Sequence, residues 1–374
     1  MTPASGTGAG TVERGPRQVR SDILRLWHGG DRDGAETALA GLSGSGEWRL
    51  MLAAARFIRA HEVDAAAAPP PVPPREWPFL VNALIDFGAI AAARAALAVR
   101  SGDSKPQVGA ADIGALLREA PPTPAGQAEQ EFSDDPMADV QVVKREGATT
   151  ILFAFAGGAH RFGGPLRLVH QWFRQLHAHV VYLRDIDGMF YAGGIRSLGP
   201  TRRDAVAGLA AIASDLGAPR VLCTGNSSGS FGAMRYGLDL AAEGVLCFAG
   251  PSRIDDSLRR VLERQGLHRA GAAPIDIADL DLAPAYAAAD VRPMVRILFS
   301  GGNEADRAEA GNMAGLTGVE LVALPDETAH GILALLVEAG RLDANLAWLM
   351  SATAVSGVAS PTRRPWWRRP PSRR

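Results

Sequence analysis

The stretch GNSSGS at 225–230 holds the spelling best suited to covalent chemistry in this 374-residue chain. Gly225, Ser227 and Gly229 make G-x-S-x-G, directly after the strand-like run RVLCT and directly before a helix-forming run. A serine at a sharp strand-to-helix turn sits on strained backbone. Small residues two before and two after it let the chain fold back without Cβ clashes. The turn also sets Ser227 at the positive end of a helix, where developing negative charge is favoured. Ser228 is the neighbouring alternative, but Asn226 and Ser230 flank it where glycine is wanted. No Gly-Lys-Ser/Thr ending follows, which argues against a nucleotide P-loop.

A serine hydroxyl is nearly inert at neutral pH and needs a base. His330 lies between VELVALP and GILALLVEAG, in the loop after the last predicted strand, and His160 in the loop FAGGAHRFGGP is its rival. The base needs an orienting acid. Asp306 follows VRILFSGGN and precedes a helix, although Glu304 and Asp306 also suit a plain helix N-terminus. Asp326, four residues before His330, would bend its own loop to reach it. Backbone donors for an oxyanion are expected from the N–H of Ser228 and of Gly158, where paired glycines let a ligand approach closely. Such a site calls for no cofactor. His177-x-His179 has no third metal ligand nearby in sequence, so no metal is expected.

The elements that must hold these residues alternate after residue 138. Strands are predicted at 179–184, 219–224, 244–249, 294–299 and 318–324, with helices near 165–177, 203–216, 229–242, 304–314 and 331–350. DVQVVKR and TTILFAFAG, separated by EGA, are read as a hairpin. The strands are continuous apolar runs, as a parallel sheet covered on both faces requires. The expected fold class is therefore α/β, a doubly wound, mostly parallel sheet over 137–352.

A small all-helical module over 19–100 precedes the sheet, with apolar spacing at Ile23, Leu24 and Trp27, at Ala35, Leu39 and Leu42, and at Trp48, Leu52, Ala55 and Ile58. It weakly resembles tetratricopeptide helix pairs, without the full repeat signature, which would give it a protein partner; the alternative is a helical cap with no peptide-binding role. Residues 1–18 are expected to be disordered, 101–136 to be a linker with one short helical piece near 111–119, and 353–374 a disordered basic tail. Hydrophobic residues make up 47% and net charge is −1, which supports a full core and argues against a chain-wide grip on nucleic acid. Residues 361–374 hold six Arg and no acid, so with Trp366 and Trp367 they suit a weak contact with an anionic membrane surface. Cys223 and Cys247 sit in apolar runs and read as buried hydrophobes. There is no apolar signal region and no run of ~18 apolar residues, so a cytoplasmic location is expected.

Together, FAGGAHRFGGP, YLRDIDGMFYAGGI, GNSSGSFGAMRYG, FAGP, SGGNEADRAEA and HGILALLVEAGRL resemble α/β-hydrolase-fold domains over about residues 140–350. In particular they resemble a bacterial subgroup often attached to helical repeat modules and associated with surface-polysaccharide or glycan-related systems. The order Ser227, Asp306, His330 matches that architecture. The resemblance implies a nucleophile, acid and base in those roles and an ester or thioester substrate, a small molecule or glycan-borne. The Leu183-Arg184-Asp185 run stands at a strand's carboxyl end, where Arg184 or Asp185 is expected to make substrate contacts, the alternative being an internal salt bridge that holds loops together. Tyr191, in the Phe190-Tyr191 pair that stands where the subgroup has Trp-Tyr, and His160 join them. The competing expectation is a non-catalytic scaffold, which would leave His330 well beyond ~3 Å from Ser227.

Overall fold

The computed structural model describes residues 15–42, 44, 46–61, 67, 69, 72–100, 110–122, 132, 134–254 and 277–356. The basic tail with Trp366 and Trp367 lies outside them, as do residues 1–14. The first helix, Pro16–His28 (α1), starts inside the stretch expected to be disordered. Proline in its first turn lacks an N–H that would be unpaired there anyway, and its fixed φ favours the start.

Helices Arg32–Leu42 (α2), Gly46–Ala60 (α3), Trp77–Asp86 (α4) and Ile90–Arg100 (α5) follow, each packed on its predecessor. Their apolar stripes, among them Ile23, Leu24, Trp27, Ala35, Leu39, Leu80 and Leu84, are buried as the spacing predicts. The expected linker contributes more than a connection. Ala110–Glu119 (α6) has Leu116 and Leu117 fully buried. Arg94 of α5 donates from Nε to Leu117 O at 2.7 Å and bonds Ala120 O as well, holding carbonyls at the end of α6 that no helical N–H reaches.

The sheet contains Val140–Val143 (β1), Thr150–Phe155 (β2), His179–Leu183 (β3), Arg220–Asn226 (β4) and Gly244–Phe248 (β5). After the two-residue strand Val291–Arg292 (β6) it is completed by Met294–Ser300 (β7) and Val319–Leu324 (β8). The order is β1-β3-β2-β4-β5-β7-β8, all parallel except β1. The predicted β1–β2 hairpin does not form. β1 pairs antiparallel with β3, Val140 opposite Leu183. All six residues of β2 are buried, so it takes neighbours on both sides, β3 and β4. β1 has an exposed position and suits an edge.

Connecting helices are Leu166–Phe173 (α7), Arg202–Asp215 (α8), Ser228–Asp239 (α9), Leu282–Ala288 (α10), Glu304–Asn312 (α11), Leu333–Glu338 (α12) and Leu342–Ser351 (α13). The single helix expected over 331–350 is two. Gly340, at φ +63°, ends α12 with Arg341 N–H bonded to Leu336 O and Gly340 N–H to Val337 O, a Schellman stop. A last strand, Val355–Ser356 (β9), pairs antiparallel with β6.

Strand alternation divides the core. Leu152, Ala154, Val180, Tyr182, Leu222 and Leu246 share one cluster with α7, α12, α13 and the whole N-terminal helical module. Ile151, Phe153, Val181, Cys223, Val245 and Cys247 face α8, α9, α10 and α11. Both cysteines are buried and free. Between β2 and β4 the strand order changes direction, so the loops after these two strands open a crevice at their carboxyl ends. Among the described residues no helix is long and apolar enough to cross a membrane.

Candidate active site

Ser227 ends β4 and precedes α9 with φ 53° and ψ −127°, a conformation L-residues avoid. Its own N–H donates to Phe248 O at 2.8 Å, tying the turn to the end of β5. Packing explains the glycines. A Cβ on Gly225 would lie 2.2 Å from Gly229 O, and one on Gly229 would lie 2.1 Å from Phe155 O. Both contacts are with backbone, so only the absence of a side chain lets α9 descend between β2 and β4.

The Ser227 hydroxyl donates to His330 Nε2 at 2.8 Å, and His330 Nδ1–H donates to Asp306 Oδ1 at 2.8 Å. Two loops are fastened together to bring this about. Gly301 N–H bonds Leu324 O at 2.8 Å, Gly302 N–H bonds Glu327 O at 2.7 Å, and Ser300 Oγ–H reaches Ala329 O. Asn303 caps α11 by accepting from Asp306 N–H at 3.2 Å, and its amide donates to Thr328 O at 3.2 Å. Asn303 thereby links the loop that carries Asp306 to the loop that carries His330. Reasoning from sequence missed it, although Asn three residues before an acid at a helix start is a capping signal. Asp306 is 6% exposed. Its hydrogen bond to His330 raises the imidazole above the usual 6.5, outweighing partial burial.

The N–H of Gly158 has no partner among the described residues, and Ser228, first in α9, has none within the helix. Gly157 lies near Ser227, its would-be Cβ 3.3 Å from Ser227 Cβ, but its N–H is already given to Arg161 O at 2.8 Å. Glycines 157, 158, 163 and 164, Ala159, Arg161, Asn226 and Ser227, with Ile113 of α6, line a cavity of about 260 Å³.

The other expected substrate contacts are used internally. Arg184 is 3% exposed. Its guanidinium bonds Asp134, donates to Asp135 O at 2.7 Å and Ala138 O at 3.2 Å, and reaches His160 O at 3.3 Å. It pins the chain before β1 to the loop after β2. Asp185 accepts from Tyr191 N–H at 3.1 Å, and burial raises its carboxyl to about 6. Tyr191 is fully buried, and its hydroxyl sits 2.8 Å from both Ala156 O and Leu183 O. Both residues shape the turn after β3. His160, the rival base, stands with Nε2 2.9 Å from an Arg17 nitrogen of α1. Burial, with Arg17 and Arg184 close by, lowers it to about 4, so it stays neutral and accepts from Arg17. Among the described residues no group of His, Cys, Asp or Glu could hold a metal ion.

The sheet order, the antiparallel edge and the serine turn after β4 define a fold of the α/β-hydrolase type. No family model matches the chain, and comparison with curated proteins finds no match. Similar solved structures include an S-formylglutathione hydrolase from Agrobacterium tumefaciens, at 16% identity and TM-score 0.42, covering 57% of this chain and 89% of that one. Others are carboxyl esterase 2 from Tuber melanosporum (12%, TM-score 0.39, 57% and 81%) and Thermogutta terrifontis esterase 2 (14%, TM-score 0.39, 57% and 90%).

Proposed function

We infer that the chain is a serine-dependent hydrolase or acyltransferase of esters or thioesters. The observation that carries this reading is the unbroken relay from Ser227 through His330 to Asp306, each link 2.8 Å, with the serine on a strained turn. His330 removes the hydroxyl proton as Ser227 Oγ attacks the carbonyl carbon. Asp306 holds the ring in the Nδ1–H tautomer and stabilises the imidazolium. Ser228 and Gly158 N–H groups receive the oxyanion. The tetrahedral intermediate collapses, His330 returns the proton to the leaving oxygen or sulfur, and an acyl-Ser227 remains. Water or another hydroxyl then attacks the acyl-enzyme with His330 again as base, which yields hydrolysis or transfer.

A glycan-borne acyl group is the substrate class that the sequence resemblance adds, and acetylated sugars belong in the assay beside simple esters. The test is labelling by a fluorophosphonate. Wild type reacts at Ser227, located by mass spectrometry of the peptide, and Ser227→Ala does not. Equal labelling of the variant would remove Ser227 from the mechanism. The scaffold expectation required His330 to stand apart from Ser227, and a contact of 2.8 Å gives it no support.

A further inference from the structure

Two side chains of the cavity beside Ser227 are left unaccounted for by acyl transfer itself. Arg161 lines it from the loop after β2 and makes no ion pair or side-chain hydrogen bond among the described residues. The buried Asp86 feels its charge, but that carboxylate is hydrogen-bonded to Arg20. Asn226, 7% exposed, lines the same cavity, and its amide likewise has no hydrogen-bond partner among the described residues. Its amide is not sealed away from the cavity, so a group that enters there can supply the partner that a side chain of such low exposure ordinarily has. A guanidinium is charged at every working pH and presents a planar fork of donors that matches a carboxylate. One buried amide and one uncommitted guanidinium around one small space therefore have the donors to bind two carboxylate oxygens.

We propose that Arg161 and Asn226 select an ester or thioester whose acyl part carries a carboxylate a few atoms from the scissile carbonyl. The inference rests on Ser227 being the nucleophile and adds the charge of the substrate. Size agrees with it. At about 260 Å³ the cavity falls below the ~300–1,000 Å³ of pockets that enclose drug-sized ligands, which suits a short dicarboxylic half-ester better than a long fatty chain. The neighbouring glycines leave room for such a group to lie along the loop backbone.

The test compares kcat/KM for the 4-nitrophenyl half-ester of glutaric acid with that for 4-nitrophenyl 5-methylhexanoate, a neutral ester of matching shape. Wild type should favour the charged ester by roughly tenfold or more. Arg161→Gln should lower that ratio about tenfold to a hundredfold, chiefly through KM. Arg161→Lys should lower it less, and Asn226→Ala should lower it as well. A ratio taken within one variant is insensitive to the fraction folded, and fluorophosphonate labelling shows which variants fold. Equal or better turnover of the neutral ester by wild type would overturn the proposal and leave the nucleophile standing. So would a ratio unmoved in Arg161→Gln. No turnover of either ester with no labelling would remove the nucleophile, and this proposal with it.

Discussion

In the proposed mechanism Asp306 acts only through His330, and that coupling makes a pH prediction. The hydrogen bond from His330 to Asp306 raises the imidazole above 6.5. A general base works only when neutral, so kcat/KM should fall with falling pH through a midpoint above 6.5. Asp306→Ala removes the cause, and the midpoint should move to lower pH in a pH–rate profile. An unchanged midpoint would mean that Asp306 does not govern the base. Asp306→Asn, which disturbs the tautomer with little change of shape, should cut kcat about 10³–10⁴-fold, by the effect known for this triad chemistry. At this scale sequence served unevenly. Chain order and position after strands grouped Ser227, Asp306 and His330, and the structure brings the three side chains into hydrogen-bond contact. Arg184, Asp185 and Tyr191 were placed in the right loops, but whether such a side chain turns inward depends on which acceptors wait there. Asp134 and the Ala156 carbonyl come from elsewhere in the chain.

At the scale of elements, the serine turn is a three-body contact among β2, β4 and α9. Gly229→Ala sets a methyl group against the backbone of Phe155. It should cost about 1–3 kcal/mol in urea unfolding and abolish labelling of Ser227. Unimpaired stability and labelling would show that the turn has slack. Histidines at the contact between helices and sheet set a second expectation. Burial, assisted by Arg167 near His28 and by Arg174 and Arg167 near His170, lowers these rings to about 4 and about 3. Their folded values lie below the unfolded 6.5, so the unfolded chain binds protons there that the folded chain refuses. Their contribution is present above pH 6.5 and is lost as pH falls below it. Asp185, raised to about 6, works in the opposite sense. The variant comparison isolates the ring. His170→Gln should show a shallower loss of melting temperature between pH 6.5 and 4 than wild type. Equal slopes would contradict a neutral His170. The β1 misassignment has the same origin as the inward-turned arginine. EGA suits a hairpin locally, but the partner of an edge strand is decided by which central strand is left uncovered.

For the molecule as a whole, the N-terminal helices and one face of the sheet form a single apolar cluster, and α6 brings Ile113 to the cavity itself. The module is therefore part of the fold around the site. Trp27, 4% exposed, packs on Phe87 and bonds its carbonyl at 3.2 Å, far from Ser227 in sequence. Trp27→Ala should destabilise the chain by about 3–5 kcal/mol. Intrinsic fluorescence and Ser227 labelling should be lost at one shared urea concentration. Two separate transitions would show the module to be independent.

Periodicity and turn chemistry in the chain determined where most of the helices and central strands form, which strands are buried on both faces, and that a serine stands on a constrained turn. These are properties of neighbouring residues, and neighbours in sequence carry them. Tertiary structure alone decided that β1 joins β3, that α6 closes over the cavity and that Arg184 is spent internally while Arg161 is not. Each of those outcomes depends on a contact between distant segments, and no local preference encodes which of several satisfactory partners the packed core brings within reach.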